Sequence, residues 1–281
     1  MIRTLIATAT LLATPALADG HATGTTGYAL TEGGRGLVVI ADLAAPADGR
    51  AVPLAHAVDA IAFRPVTGKL LGLSNAEAKL YTVDPADGSM TDLGASFLDG
   101  AAIDAGEVTD LDFNNAIDAV RAVSGGGTNL VYFPGDFGDD KAGSVRRFAD
   151  LAYAEGDAHA DTAPEIFANA YTNAVPGAKA SSTAQFALDA GTDALVTLAN
   201  NAGTLATVGP VTVEGRPMDV AAAGGFDIVS AAEGQDAAYA LLRREGETTA
   251  VLYALDLATG AATPMGDTGL ADVTGFAARA N

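Results

Sequence analysis

Apolar and polar side chains alternate along much of this chain, and the alternation predicts short strands joined by tight turns. The segment LYTVDPADGSMTDLG (80–94) has a period of two, which is the period of a strand and not of a helix. Gly88 marks a turn within it, so the segment predicts a hairpin. Similar segments recur at 252–266 (LYALDLATGAATPMG) and, more loosely, at 185–199. The recurrence indicates an internal repeat.

A second recurring segment precedes the hairpin. AIAFRPVTGKLLGLS (60–74) is matched by DLDFNNAIDAVRAVS (110–124), and Phe63 and Phe113 within them lie 50 residues apart. Joining the two kinds of segment predicts a unit of four strands. The predicted units span about 58–94, 108–150, 163–209 and 218–267.

A last strand, Val273–Ala278, resembles only the first strand of a unit. Its three missing partners are available near the other end of the chain, at 27–32, 36–43 and 49–54. Four-stranded units of this length are typical of β-propeller blades, and a blade shared by both termini closes such a ring. The sequence therefore predicts an all-β fold, a β-propeller of five four-stranded blades whose last blade is closed by the N- and C-terminal strands.

Two other architectures stay open at this stage. The connections at 94–108 and 150–163 are long enough to contain a further strand, so six blades are the main alternative. A sandwich of two sheets is the second alternative. Long helices are excluded, because no window longer than about 12 residues keeps the helical spacing of apolar positions without Gly or Pro.

The first 18 residues, MIRTLIATATLLATPALA, have the features of a secretory signal peptide. Arg3 is the positive charge, Leu5–Leu12 the apolar run, and Ala16–Ala18 an A-x-A-like cleavage site. We expect cleavage after Ala18, a flexible mature N-terminus over 19–26 and a single propeller domain over 27–281. The predicted location is periplasmic or secreted.

Composition narrows the classes of partner. The 281 residues include 15 Lys and Arg against 35 Asp and Glu, and the formal charge of −20 opposes binding to nucleic acid or to an anionic membrane. A hydrophobic fraction of 49% excludes a disordered chain. No apolar run after the leader reaches about 18 residues, so no transmembrane segment is expected. The chain has no cysteine, which excludes thiolate chemistry, and we expect a monomer.

Catalytic signatures are weak. The three histidines stand in no Ser-His-Asp, zinc or phosphate-binding motif, and they are His21, His56 and His159. Paired carboxylates remain an option, because glycosidases place two Asp or Glu side chains around the reacting bond. Asp59, Asp110 and Asp272 each precede the phenylalanine of a predicted inner strand by three or four residues. They are the candidate catalytic acids, and solvated or turn-forming aspartates are the alternative interpretation.

Calcium is the cofactor best suited to an exported, Asp-rich chain without cysteine, since Ca²⁺ prefers six to eight oxygen ligands. Asp136, Asp139 and Asp140 form the best local cluster and are the candidate metal ligands, although their spacing does not match a calcium-loop motif. A solvated loop is the other interpretation of this cluster.

Arg64 and Arg121 are cations within segments predicted to be buried. Each arginine either binds an anion in the channel or ties one blade to the next through a carboxylate such as Asp112. These three residues are the candidate ligand-binding residues.

Several of these strings, taken in order, resemble a family of secreted bacterial proteins, domain-of-unknown-function family 4394. The strings are LYTVDPADG (80–88), LDFNNAIDAVRAVS (111–124), AYTN (170–173), GTLATVG (203–209) and LYALDLATG (252–260). The resemblance covers most of 37–279 and implies export and a propeller-like repeat fold. This chain has Asn115 and Asp118-Ala119 where the family tends to read Pro and Asp-Arg, so a role for that family arginine does not carry over.

The function predicted from these observations is an exported, non-enzymatic propeller. Loops at the mouth of its channel would present a surface to a protein, a glycan or a small ligand. A carbohydrate-active enzyme with axial carboxylates and a calcium-stabilised structural protein of the envelope are the alternatives.

Overall fold

The computed structural model describes residues 24–281. The predicted signal peptide (1–18) and most of the predicted flexible segment (19–26) lie outside the described residues. The described part consists of strands and turns, with two short 3-10 turns at Glu32–Gly34 and Asn200–Ala202. Within it, no helix has the length and apolar character needed to cross a membrane.

Twenty-four strands follow one another along residues 24–281. The first seven are β1 (Thr25–Thr31), β2 (Gly36–Ile40), β3 (Gly49–Pro53), β4 (Ala60–Arg64), β5 (Lys69–Ser74), β6 (Lys79–Val83) and β7 (Met90–Asp92). The next ten are β8 (Ser96–Phe97), β9 (Thr109–Asn114), β10 (Ala119–Ser124), β11 (Asn129–Tyr132), β12 (Ser144–Arg147), β13 (Ala152–Tyr153), β14 (Ile166–Tyr171), β15 (Gln185–Asp189), β16 (Ala194–Ala199) and β17 (Thr204–Pro210). The last seven are β18 (Thr212–Val213), β19 (Arg216–Pro217), β20 (Val220–Ser230), β21 (Asp236–Arg244), β22 (Thr249–Leu255), β23 (Ala261–Ala271) and β24 (Gly275–Ala280).

The strands form five sheets, which are the blades of a propeller. From the centre outwards, blade 1 is β24-β1-β2-β3, blade 2 is β4-β5-β6-β7, blade 3 is β9-β10-β11-β12-β8, blade 4 is β14-β15-β16-β17-β13 and blade 5 is β20-β21-β22-β23-β18-β19. The inner strands β24, β4, β9, β14 and β20 contact one another in that cyclic order and close the ring. The predicted five-bladed propeller is confirmed.

Blade 1 joins the two ends of the described chain. Its inner strand β24 pairs antiparallel with β1, with Tyr28 opposite Ala277 and Thr26 opposite Arg279. The three outer strands of the blade coincide closely with the segments predicted at 27–32, 36–43 and 49–54. The prediction that N- and C-terminal strands close the last blade is therefore confirmed.

The two long connections contain strands, but these strands do not make a sixth blade. β8 pairs parallel with β12, and β13 pairs parallel with β17, so each becomes the outermost strand of the following blade. β18 joins the outer edge of blade 5 in the same way. Three blades therefore have more than the four strands that the repeat predicts.

Burial follows the position of a strand in its blade. All five residues of β4 are buried, because an inner strand packs against a neighbouring blade on each face, whereas β3 at an outer edge buries one residue of five. Five apolar clusters of described residues fill the five seams between adjacent blades. The seam between blades 3 and 4 differs from the others, since blade 3 contributes only Val123 to its cluster.

The seam between blades 5 and 1 leaves no room for a side chain at Gly225. A methyl group built there would lie 2.3 Å from the backbone nitrogen of Phe276 and 3.0 Å from the backbone carbon of Gly275. We expect Gly225→Ala to lower the free energy of unfolding by about 1–3 kcal/mol, measured by urea denaturation, because β20 and β24 must move apart. Gly135→Ala is the matched control, since nothing lies within 4 Å of its added methyl group. Equal stability of the two variants would contradict this account of the seam.

Candidate functional site

Aspartates of one blade accept hydrogen bonds from the inner strand of the next. Asp110 Oδ2 accepts from the backbone N–H of Asn169 at 2.6 Å, and Asp112 Oδ2 accepts from that of Tyr171 at 2.5 Å. The two acids project from β9 towards β14. A buried strand edge must have its N–H groups satisfied, and these carboxylates satisfy two of them.

Asp227 repeats this arrangement between β20 and β24. Its Oδ2 accepts from the backbone N–H of Ala278 at 2.6 Å, and its Oδ1 accepts from that of Ile228 at 2.6 Å. The three acids are buried, and none forms an ion pair with a described residue. Burial raises the pKa of Asp110 and Asp112 well above the usual range, and the charge of Asp227 raises both further. Burial also raises the pKa of Asp227, to about 7.

These raised pKa values make the folded state less stable as pH rises. A buried acid that binds its proton more tightly in the folded state stabilises the fold at low pH, and this contribution is lost as pH rises towards the folded-state pKa. We expect the free energy of unfolding to fall between pH 5 and 7, and Asp227→Asn to reduce that slope by up to about 1.4 kcal/mol per pH unit. Urea denaturation of both chains at pH 5, 6, 7 and 8 measures the free energy of unfolding and its slope against pH.

The control for this prediction is Asp219→Asn, at an exposed acid just before β20. It removes the same formal charge without changing the ring of inner strands. If Asp227→Asn and Asp219→Asn showed the same dependence on pH, the assignment of the slope to the buried acid would be wrong.

A loop from blade 4 crosses the mouth of the channel at which the inner strands end. This strap, residues 172–184, joins β14 to β15. Its Gly177 N–H donates to Pro65 O of blade 2 at 2.9 Å, and its Ala180 N–H donates to Asn115 O of blade 3 at 3.1 Å. Its Asn173 N–H donates to Asp236 Oδ1 of blade 5 at 2.8 Å. The strap therefore braces three other blades.

The strap leaves little space in the channel beneath it. A cavity of about 10 Å³ lies there, lined in part by Asp112, Asp227 and the strap residues Ala174 and Pro176. A cavity of this size holds about one water molecule. Asp112 and Asp227, which line this cavity, are thus sealed from a substrate as large as a sugar.

Arg64, the last residue of β4, ties blade 2 to blade 3. Its Nε donates to Asp118 Oδ1 at 2.7 Å and its Nη2 to Asp118 Oδ2 at 2.5 Å, which is a two-point ion pair. Nη2 also donates to Asp136 Oδ1 at 2.8 Å. The arginine and Asp118 side chains are 10% and 8% exposed, whereas Asp136 is 62% exposed. The tether considered for Arg64 exists, with carboxylates other than Asp112.

The two partners of Arg64 are expected to differ in energetic weight. Asp118→Asn removes the buried counter-charge and should lower the free energy of unfolding by about 2–4 kcal/mol. Asp136→Asn removes an exposed partner and should cost less than about 1 kcal/mol. Urea denaturation of both variants at neutral pH checks the difference. Equal losses would contradict the ranking by burial.

Arg121 lies in the seam between blades 3 and 4, beside its apolar cluster. Its Nε donates to Tyr171 Oη at 2.8 Å and its Nη2 to Asn201 Oδ1 at 2.8 Å, while its Nη1 donates to Asn129 Oδ1. Asp112 is its cross-strand neighbour but accepts from a backbone N–H instead. Every side-chain partner of this buried guanidinium is neutral, and the network ties β10 to blade 4.

A larger cavity opens between blades 1 and 2. Its volume is about 380 Å³, and its lining is Tyr28, Phe63, Gly68, Lys69, Leu70, Thr82, Val83, Asp84, Pro85, Ser89, Thr91 and Arg279. We call it the inter-blade cleft. Two of its residues, Phe63 and Arg279, also line the small axial cavity, so the cleft lies directly beside the channel mouth.

The other predicted site residues are dispersed. Asp59 is half-buried and its Oδ2 accepts from the Asn75 backbone N–H at 2.7 Å, whereas Asp272 is exposed in a turn with a φ of 53°. Asp139 pairs with Lys141, and Asp140 is exposed. Within residues 24–281, no group of three or more His, Cys, Asp or Glu side chains is placed to hold a metal ion.

The histidines of the described chain lie apart from the inter-blade cleft lining. His56 stacks on Tyr81 with ring centroids 4.8 Å apart, and its Nδ1 lies 3.4 Å from Glu77 Oε1. His159 contacts Tyr153 with ring centroids 5.5 Å apart. His21 lies outside the described residues.

Sequence reasoning missed Arg279 and the strap. The signal for Arg279 was a lone cation in the apolar strand GFAARA (275–280), which the repeat analysis treated only as a closing strand. The strap had a weaker signal. Its sequence, 172–184, is simply a longer connection within a hairpin.

This geometry defines a five-bladed β-propeller whose axial channel is covered at one mouth by the strap, with an open cleft beside that mouth. A family profile described as "Domain of unknown function (DUF4394)" matches residues 47–277. The chain belongs to this family, as the recurring strings predicted. Comparison with curated proteins found no match.

Solved structures give distant similarities. An auxiliary nutrient binding protein from Bacteroides ovatus is 13% identical with a TM-score of 0.43, over 76% of this chain and 55% of that chain. Virginiamycin B lyase from Staphylococcus aureus is 12% identical with a TM-score of 0.38, over 75% and 57%. A chain of the nidogen/laminin complex is 11% identical with a TM-score of 0.47, over 91% and 98%.

The first two of these similarities span little more than half of the longer protein. At such identities and TM-scores, nothing about the ligand or activity of this chain follows from them. The case for a function therefore depends on the residues of the site.

Proposed function

We propose that this chain is an exported, non-enzymatic binding protein that takes a small molecule into the inter-blade cleft. The observation that carries the proposal is the cavity of about 380 Å³ between blades 1 and 2. Pockets that hold small molecules have volumes of about 300–1,000 Å³ and combine apolar walls with a few polar groups. The inter-blade cleft has both properties.

The walls of the cleft supply an aromatic surface and hydroxyl groups. The rings of Tyr28 and Phe63 stack across the seam, with centroids 6.3 Å apart and 10° between their planes. Thr82, Ser89 and Thr91 line the wall formed by blade 2. Such a surface suits a polar organic ligand, since rings contact its carbon skeleton and hydroxyl groups bond its oxygens.

Binding is favoured over hydrolysis by axial carboxylates. Asp110 and Asp112 have backbone N–H partners, and Asp110 is fully buried. At the cleft, Asp84 is already engaged, because its Oδ1 accepts from the backbone N–H of Ala86 at 2.8 Å. These contacts support structural roles for the acids rather than general acid–base roles.

Export is the remaining part of the proposal. The signal-peptide features of residues 1–18 support cleavage after Ala18 and a mature chain in the periplasm or outside the cell. A cleft that faces solvent on a rigid scaffold suits capture of a nutrient or signal molecule there.

Filling the cleft tests the proposal. Thr91→Trp places a bulky ring at the exposed rim, and we expect it to abolish the thermal stabilisation that a binding compound gives to the wild-type chain. Thr248→Trp is the matched control, at an exposed threonine in blade 5 that does not line the cleft. Thermal unfolding with a library of sugars, sugar acids and sugar phosphates is the measurement, since native-state binding raises the melting temperature.

If no compound stabilised the wild-type chain, or if Thr91→Trp kept the full stabilisation, the cleft would not be the binding site.

A further inference from the structure

Arg279 projects from the inner strand of blade 1 into the seam with blade 2. It is opposite Thr26 in the β1–β24 pair, so it shares a sheet face with Tyr28. Its guanidinium carbon lies 5.7 Å from the centroid of the Phe63 ring on the facing blade. Burial raises the pKa of Tyr28, while the charge of Arg279 and a hydrogen bond between the two side chains lower it. Arg279 therefore contacts both aromatic residues that line the inter-blade cleft.

The guanidinium of Arg279 has an unused hydrogen-bond donor. Its Nε is buried and has no hydrogen-bond partner, and Arg279 takes part in no ion pair with a described residue. A buried N–H of a charged group without an acceptor costs about 1–3 kcal/mol or more. Arg279 also lines the inter-blade cleft, where the described chain gives it no counter-charge, so a ligand in the cleft can supply one.

Arg64 of the same protein has the kind of acceptor that Arg279 lacks, a carboxylate. Its Nε and Nη2 together bind both oxygens of Asp118, at 2.7 and 2.5 Å. The same edge of Arg279 has no carboxylate from the described chain. A two-point contact of this kind is specific for carboxylate or phosphate, whose oxygens match the spacing of the two N–H groups.

A second cation reinforces this preference. Lys69 lies at the rim of the same cleft, is exposed and also forms no ion pair with a described residue. Asp84 is the one acidic residue in the cleft lining, against two basic ones. In a chain with a formal charge of −20, two unpaired cations at one cavity make it a local site for an anion.

We infer that the inter-blade cleft binds a small organic acid, with the carboxylate or phosphate group at the guanidinium of Arg279 and the carbon skeleton against Phe63 and Tyr28. This inference rests on the proposed function and adds the charge of the ligand to it. Lys69 at the rim attracts the anionic ligand at long range. The hydroxyl groups of blade 2 form hydrogen bonds with the rest of the ligand.

The test compares three sugars that differ in one group. Glucuronate carries a carboxylate, glucose 6-phosphate carries a phosphate, and glucose carries neither. Binding to the mature chain is measured by two-dimensional amide NMR at millimolar concentrations, which also locates the site through shifts at residues of the cleft. We expect the acid or the phosphate to bind at least tenfold more tightly than glucose.

Two variants assign the effect to the arginine. Arg279→Gln should weaken binding of the acidic sugar at least tenfold, which corresponds to about 1.4 kcal/mol. Arg279→Lys keeps the charge but loses the planar guanidinium that can make a two-point contact, so it should recover only part of the affinity. Arg216→Gln, at an exposed arginine in β19, removes the same charge far from the cleft and should leave binding unchanged. Thermal unfolding of each variant confirms folding.

The outcomes separate this inference from the proposed function. Equal binding of glucose and both acidic sugars at the cleft would keep the binding site and overturn the role of Arg279. Equal losses in Arg279→Gln and Arg216→Gln would also overturn it, because the effect would then be one of net charge. Shifts with none of the three sugars would count against both. Preference for glucuronate or for glucose 6-phosphate would identify the carboxylate or the phosphate as the bound group.

Discussion

The buried edge of each inner strand is the constraint from which much of this structure follows. An inner strand pairs on one side only, and in a five-membered ring its other side faces a channel too narrow for bulk water. Three aspartates satisfy this edge by accepting hydrogen bonds from backbone N–H groups of the neighbouring blade, and they are Asp110, Asp112 and Asp227. The cost is three buried carboxyl groups with raised pKa values. Their hydrogen bonds to the neighbouring strand support a structural role, although buried acids in a channel usually suggest catalysis.

Three buried or half-buried arginines show how the partner decides the role of one side chain. Arg64 binds two carboxylates and joins blade 2 to blade 3. Arg121 has only neutral side-chain acceptors and joins blade 3 to blade 4. Arg279 has aromatic neighbours and an unpartnered Nε beside a cavity. The first two guanidiniums are held by partners from neighbouring blades, so they rigidify the fold. The third has no counter-charge within the described chain, and this is the basis for proposing an anionic ligand there.

The repeat pattern predicted the fold far better than it predicted the site. Alternation and spacing placed most strands close to their observed positions, because both are local properties of a hairpin. They did not predict that β8 and β13 would extend existing blades, since edge pairing depends on neighbours distant in sequence. Arg64 was recognised as a buried cation, but its partner Asp118 sits in a turn whose direction alternation does not encode. Arg279 stands out only once blade 1 faces blade 2.

Because β24 closes blade 1, the ring can close only after residues 275–280 have been synthesised. A chain that emerges N-terminus first presents β1–β3 without an inner strand, and the partner, residues 275–280, arrives last. Until then the apolar residues of β1 have no sheet partner on one side, and the ring stays open. A truncated product therefore exposes apolar surface and a free strand edge, which are features that proteases and chaperones recognise. The ring hides both only once residues 275–280 have paired with β1.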